Sequence, residues 1–134
     1  MTQPSSPATN AASPQAAHYD SVFRAGLFQG KTFWVTGGGS GIGRCVAHEL
    51  ASLGAHIVIS GRTQEKLDRV AQEIRDDGGQ CDTQAFDIRD EDAVKASVAA
   101  VVARVGRSGG LVNNAGGQFP APLQAITQRG CGAA

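Results

Sequence analysis

Short apolar runs alternate along this chain with longer segments whose apolar residues recur at helical spacing. The runs occupy 32–35, 56–59, part of 81–86 and 111–112. Between them, apolar residues recur every three or four positions, as on one face of a helix. The three stripes are Ile42, Val46, Leu50 and Leu53, then Leu67, Val70, Ala71 and Ile74, then Val94, Val98, Val101, Val102 and Val105. The pattern predicts four strands joined by three helices.

Residues at the segment ends support this division. Gly54 follows the first stripe and Gly78 the second, as suits helix C-termini. Asp90 stands where its side chain can cap the third helix. Strands joined by helices of this length run parallel through right-handed crossovers, with helices on both faces of the sheet. The expected fold class is α/β, half of a doubly wound parallel sheet.

Composition and charge exclude several classes of function. The 12 Lys and Arg residues balance 12 Asp and Glu residues, so no global field attracts nucleic acid or an acidic membrane. No apolar run approaches the roughly 20 residues of a membrane helix. The three cysteines form no Cys-x-x-Cys pair and the three histidines have no metal-ligand spacing, so no metal site is expected. We expect a cytoplasmic chain without nucleic-acid, membrane or metal partners.

The densest chemical signal lies between the first strand and the first helix, where 36–43 reads Thr-Gly-Gly-Gly-Ser-Gly-Ile-Gly. Glycines in such a turn allow positive φ and close approach of a pyrophosphate, and free N–H groups at the helix start hold its charge. A Gly-x-Gly-x-x-Gly fingerprint cannot be aligned here. A Walker A loop would need Lys and Ser or Thr where Arg44 and Cys45 stand. A glycine-rich connector without a ligand is the alternative.

Two motifs together resemble the short-chain dehydrogenase/reductase family. The first is Thr36-Gly37-x-x-x-Gly41-x-Gly43, which matches the family's T-G-x-x-x-G-x-G. The second is 113–116, Asn-Asn-Ala-Gly, which follows the fourth strand and matches N-N-A-G. The resemblance covers roughly 30–130. It implies a Rossmann-type doubly wound sheet, truncated after about four strands, in which the two motifs end neighbouring strands at the topological switch point.

The resemblance also implies a cofactor site. The residues expected to line the pyrophosphate and ribose are Gly37, Ser40, Gly41, Ile42 and Gly43, next to Thr36. Asp87 and Ile88, after the third strand, are expected to contact the adenine, although Asp87 could instead be a turn residue before a helix. The residues expected to support the ribose and the first strand are Asn114, Ala115 and Gly116.

The end of the second strand bears on the choice between NADP(H) and NAD(H). NAD-type members of the family place an Asp there to bind the ribose 2′-hydroxyl, whereas this chain has Gly61 followed by Arg62. A guanidinium suits a 2′-phosphate. The expected cofactor is therefore NADP(H), and an arginine that merely begins an exposed helix is the alternative.

A narrower likeness follows the second motif. The residues Gly117, Gln118 and Phe119, with Pro122 soon after, look like the trans-2-enoyl-CoA and 2,4-dienoyl-CoA reductase branch. This likeness implies an NADP-dependent oxidoreductase of fatty-acid metabolism that reduces an enoyl-CoA thioester and is a homo-oligomer at full length. A loop without such meaning, and a generic carbonyl or hydroxy short-chain dehydrogenase, remain open.

The chain is divided into four parts by composition and by the resemblance. These are a disordered leader over 1–17, a linker over 18–29, an NADP-binding half-domain over 30–130 and a non-family tail over 131–134. The family's proton-donating Tyr and the Lys four positions later lie beyond the fourth strand, and the only tyrosine here is Tyr19. We therefore expect a fragment that lacks the catalytic half, has no catalytic residue and is inactive alone. A non-catalytic nucleotide-binding fragment is the second hypothesis.

Two departures from the family bear on packing. Ser108-Gly109 stands where an Ile-Asp pair usually leads into the fourth strand, which predicts a short strand. Trp34 stands where a smaller aliphatic residue is usual, which predicts unusual packing around the first strand.

Overall fold

A computed structural model describes residues 19–116 and contains each predicted element. The strands are β1 (Thr32–Thr36), β2 (His56–Gly61), β3 (Gln80–Ala85) and β4 (Gly110–Val112), and the helices are α1 (Gly41–Ser52), α2 (Gln64–Asp76) and α3 (Glu91–Val105). The predicted leader over 1–17, the turn over 117–119 and the tail over 131–134 lie outside the described residues. Within 19–116, no helix is long and apolar enough to cross a bilayer.

The strands form one parallel sheet in the order β3-β2-β1-β4. The chain moves outward from β1 through β2 to β3, and then returns to place β4 on the other side of β1. This reversal is a topological switch point, next to which doubly wound sheets bind ligands. The prediction that β1 and β4 are neighbouring strands is confirmed, because Val35 pairs with Val112.

Alternate residues of the strands face opposite sides, so the sheet builds two separate apolar layers. Val35, Ile57 and Ile59 pack with the buried residues of α1 and α2 on one side. Trp34 and Val58 pack with α3 on the other side. Helices therefore cover both faces, as predicted.

The predicted inward stripe is confirmed for α2, where Leu67, Val70, Ala71 and Ile74 are all buried. For α1 it is wrong only at Ile42, which is 75% exposed. The rest of that stripe is buried or packs partly buried against the core: Val46, Leu50 and Leu53. The inward face of α1 combines this stripe with the small buried residues Gly43, Ala47 and Ala51.

The expected face of α3 is also wrong in part. Val101 is buried and Val105 is partly buried, but Val98 is 44% and Val102 52% exposed. Only the edge of α3 that carries Val101 and Val105 packs against Trp34 and Val58 of the sheet. The predicted cap of the helix is confirmed, because Asp90 accepts a hydrogen bond from the Ala93 N–H at 3.1 Å.

The tryptophan of β1 combines a buried hydrogen bond with aromatic packing. Its indole N–H donates a buried hydrogen bond to the Ser60 hydroxyl of β2 at 2.9 Å, and its ring packs edge-on against Phe86. The hydrogen bond satisfies two buried polar groups that would otherwise cost free energy. The ring thus forms the centre of the smaller apolar layer, with Val58, Val101 and Phe86 around it.

Candidate functional site

A cavity of about 550 Å³ opens at the carboxyl ends of the four strands. The residues that follow the strand ends line it: Gly37 after β1, Arg62 after β2, Asp87 after β3 and Asn114 after β4. The carboxyl ends of parallel strands meet at one edge of the sheet, and this edge lies at the switch point. The volume suits a small organic ligand.

The glycine turn forms one wall of the cavity, and at several of its positions a larger residue would not fit. Gly37 and Gly41 have φ of +67° and +54°, a region that favours glycine. A Cβ atom at Gly43 would lie 2.2 Å from the Gly37 carbonyl oxygen and 2.5 Å from the Asn114 side-chain nitrogen. The turn is therefore closed tightly against both α1 and the end of β4.

The N-terminus of α1 opens on the cavity without an acidic side chain. The first turns of α2 and α3 carry Glu65 and Glu91, but α1 has no acidic residue in its first turn, and the Ser40 side chain makes no capping hydrogen bond. The first N–H groups of a helix have no partner within it, and the helix dipole adds positive charge there. Phosphate is the type of group that such an end binds.

A hydrogen-bond network between Thr36 and Asn114 joins the ends of β1 and β4. The Thr36 hydroxyl accepts from the N–H groups of Asn114 and Ala115, both at 3.0 Å, and donates to the Val112 carbonyl at 3.3 Å. The Asn114 side-chain amide donates to the carbonyls of Thr36 and Gly37 at 3.1 and 3.3 Å. The network positions the two motifs against each other across the switch point.

Positive charge gathers at the end of β2. Arg62 and Lys66 both line the cavity, and neither forms an ion pair within the part of the chain that the structure describes. The Gly39 turn packs against the first turn of α2, since a Cβ atom there would lie 3.2 Å from the Lys66 Cβ atom. Two cations outside any ion pair of the described residues thus line the space beside the glycine turn.

At the end of β3, Asp87 holds Arg89 in an ion pair. The guanidinium donates to both carboxylate oxygens, with the shortest contact 2.6 Å between Arg89 Nη2 and Asp87 Oδ2. Hydrogen bonding from Arg89, with the charge of nearby Arg62, holds the pKa of Asp87 well below its usual range.

The structure brings together nearly all of the residues predicted for the site. Those that line the cavity are Gly37, Ser40, Gly41, Ile42, Arg62, Asp87, Ile88, Asn114, Ala115 and Gly116. Thr36 and Gly43 lie behind its wall and shape the turn. Sequence reasoning missed Lys66 and Arg89. The sequence signal that could have found them is a short spacing from a predicted site residue. Lys66 comes four residues after Arg62, and Arg89 comes two residues after Asp87.

The remaining candidates lie elsewhere. Arg44, which could have touched a cofactor or lain on the surface, binds Glu73 of α2 through two hydrogen bonds. Tyr19 packs on His48, away from the cavity, and its hydrogen bond to Glu49 raises its pKa to about 12. Within 19–116, no cluster of three His, Cys, Asp or Glu residues could hold a metal ion.

The strand order and the glycine turn at the switch point define a Rossmann-type α/β fold. The model of the short chain dehydrogenase family matches residues 31–130. The chain therefore belongs to the short-chain dehydrogenase/reductase family, whose members are oxidoreductases.

The similar proteins are longer than this chain. A probable 2,4-dienoyl-CoA reductase of Bacillus subtilis (strain 168) is 35% identical over 100 residues, which are 75% of this chain and 39% of that protein. The structure of a citronellol catabolism dehydrogenase from Pseudomonas aeruginosa PAO1 has a TM-score of 0.73 and 59% identity, covering 84% of this chain and 46% of that one. A metagenomic short-chain oxidoreductase in complex with NADP has a TM-score of 0.69 and 40% identity, covering 80% and 49%.

Proposed function

We propose that this chain binds NADP(H) in preference to NAD(H) and is the cofactor half of a short-chain oxidoreductase. The observation that carries the proposal is the pair of cations that follow β2, Arg62 and Lys66, which line the cavity and form no ion pair with any described residue. Gly61 stands where an acidic residue would repel a 2′-phosphate. The similarity to a short-chain oxidoreductase crystallised with NADP supports the same cofactor.

The cavity wall suggests how each part of the dinucleotide is held. The helix end at Ser40, Gly41 and Ile42 takes the pyrophosphate, with Gly37 and Gly43 keeping the turn close. Asn114, Ala115 and Gly116 take the nicotinamide-side ribose, supported by Thr36. The adenine end lies at Asp87 and Ile88, beyond Arg62.

The proposed reaction is hydride transfer from NADPH to the β-carbon of a trans-2-enoyl-CoA. The proposed role is in fatty-acid metabolism, and the proposed location is the cytoplasm. The name of the Bacillus subtilis relative supports an acyl-CoA substrate. The name of the Pseudomonas aeruginosa neighbour favours the alternative, a carbonyl or hydroxy dehydrogenase.

Either activity belongs to a longer, homo-oligomeric protein with a Tyr-x-x-x-Lys segment. Such a protein should reduce crotonyl-CoA, and reduction of simple ketones alone would establish the alternative.

The cofactor proposal is tested by titrating the chain with NADPH and NADH. Charge-assisted hydrogen bonds to the 2′-phosphate should favour NADPH by about 10- to 100-fold. Arg62→Ala should remove most of this preference and leave NADH binding unchanged. Gly61→Asp should weaken NADPH and strengthen NADH, because its Cβ has room 3.5 Å from the Leu67 methyl group.

The matched control is Arg69→Ala, which removes an exposed arginine from α2 outside the cavity. It should leave both affinities unchanged, which separates the local contact from the general effect of charge. Equal dissociation constants for NADPH and NADH in the unmodified chain would show that the cofactor assignment is wrong.

A further inference from the structure

Glu73 of α2 binds two residues of α1 at once. Arg44 donates to both of its carboxylate oxygens, from Nε to Oε2 at 2.8 Å and from Nη2 to Oε1 at 3.0 Å. His48 lies about one helical turn further along α1, and its Nε2 contacts the same Oε2 atom at 3.0 Å. A single carboxylate therefore joins two successive turns of α1 to α2.

The geometry of this contact constrains position. An isolated exposed ion pair contributes little, but a bidentate arginine pair within a network of charges holds its members in a defined orientation. The side chains of Arg44, Glu73 and His48 are 49%, 30% and 14% exposed, and hydrogen bonding from Arg44 lowers the pKa of Glu73. Apolar contacts beneath the helices have no comparable direction.

The two helices that Glu73 joins carry different parts of the cavity wall. Helix α1 begins at the glycine turn, and Arg44 directly follows Gly43. Helix α2 carries Lys66 in its first turn, whereas Arg44 and Glu73 are themselves outside the cavity. A shift of α2 relative to α1 would therefore change the distance between Lys66 and the N-terminus of α1 without altering either group.

Building on the proposed function, we propose that Glu73 is a positioning residue that sets the distance between two anion sites of the cofactor. The pyrophosphate is proposed to lie at the N-terminus of α1, and the 2′-phosphate at Arg62 and Lys66. A ligand that carries both anions gains from the second contact only when the two sites are held at the matching distance. A ligand that carries one of them does not depend on this distance.

The test compares three ligands by calorimetric titration of the full chain. NADPH reaches both sites, whereas NADH and adenosine 2′-monophosphate each reach one. Glu73→Gln should weaken NADPH by about 3- to 10-fold and change the other two affinities by less than about twofold. Arg62→Ala should instead weaken adenosine 2′-monophosphate as well as NADPH, because Arg62 is proposed to touch the 2′-phosphate itself.

The sign of the change separates positioning from charge. Glu73→Gln removes a negative charge, which by itself would strengthen the binding of anions, and Arg44→Ala removes a positive charge, which would weaken it. Positioning predicts that both variants weaken NADPH, and that the double variant is no weaker than the weaker single variant. The matched control is Glu91→Gln, which breaks the ion pair with Lys95 inside α3 and should leave all three affinities unchanged.

A Glu73→Gln variant that binds NADPH as tightly as the unmodified chain, or more tightly, would overturn the inference. Equal losses for the three ligands would also overturn it, since they indicate a general loosening of the fold, and so would opposite changes in Glu73→Gln and Arg44→Ala. Failure of the proposed function is visible in the unmodified chain, as equal affinities for NADPH and NADH, and would overturn both proposals.

Discussion

At the scale of single residues, the site depends most on the absence of a side chain at Gly43. Gly43→Ala would place a methyl group 2.2 Å from the Gly37 carbonyl oxygen and against Asn114. Because both neighbours belong to packed backbone and a hydrogen-bonded amide, neither can yield cheaply. We expect a loss of about 3 kcal/mol in the free energy of unfolding, measured in urea, and loss of NADPH binding.

The matched control for this change is Gly61→Ala at the end of β2. A Cβ atom there meets only the Leu67 methyl group at 3.5 Å, an ordinary contact, and the backbone has no positive φ. Its free energy of unfolding should change by less than about 1 kcal/mol. Similar losses for the two variants would mean that the turn is not packed as closely as the structure has it.

At the scale of elements, α3 is attached to the sheet by a narrow strip, and two adjacent valines test this directly. Val101 is 2% exposed and Val102 52% exposed. Val101→Ala should lower the free energy of unfolding by about 2 kcal/mol, since it opens space beside Trp34 and Val58. Val102→Ala should change it by less than about 0.5 kcal/mol.

Residue type, helix and helix propensity are the same for both valines, so only burial distinguishes them. Urea denaturation of the two variants measures the difference. If Val102→Ala proved as costly as Val101→Ala, the helix would face the sheet with the stripe that its sequence suggests rather than with the one in the structure.

At the scale of the whole molecule, the chain should bind NADPH without oxidising it. Proton transfer to the substrate needs an acid near the reacting atoms, and Tyr19, the only tyrosine in the sequence, packs on His48 outside the cavity. Its hydroxyl is bound to Glu49, which raises its pKa to about 12 and opposes release of its proton. Absorbance of NADPH should stay constant with crotonyl-CoA or a simple ketone present.

Binding of NADPH, measured on the same sample, would show that the cofactor site is formed even though no turnover occurs. NADPH oxidation that is abolished by Gly41→Asp would prove the chain catalytic and the prediction wrong. The substituted aspartate places a negative charge at the N-terminus of α1, where the pyrophosphate is proposed to lie, so it removes binding at the site without altering Tyr19.

The elements and the turn were predictable because their signals are local. The α2 stripe, the Asp90 cap and the glycines of 36–43 depend on spacing within one segment, and the structure has each of them. The site residues that belong to sequence motifs could also be predicted. The meeting of Lys66 with Asp87 and Asn114 in one cavity has no comparable signal, because it depends on how the loops after different strands meet.

By itself, the sequence determined the alternation of strands and helices, the parallel sheet and the glycine turn at its switch point. Only the tertiary structure decided which residues at the start of α1 and along α3 leave the sheet. A periodic stripe does not say how closely each end of a helix approaches its neighbours. At Gly43 that distance admits no side chain, and Ile42 lines the cavity although it begins the apolar stripe of α1.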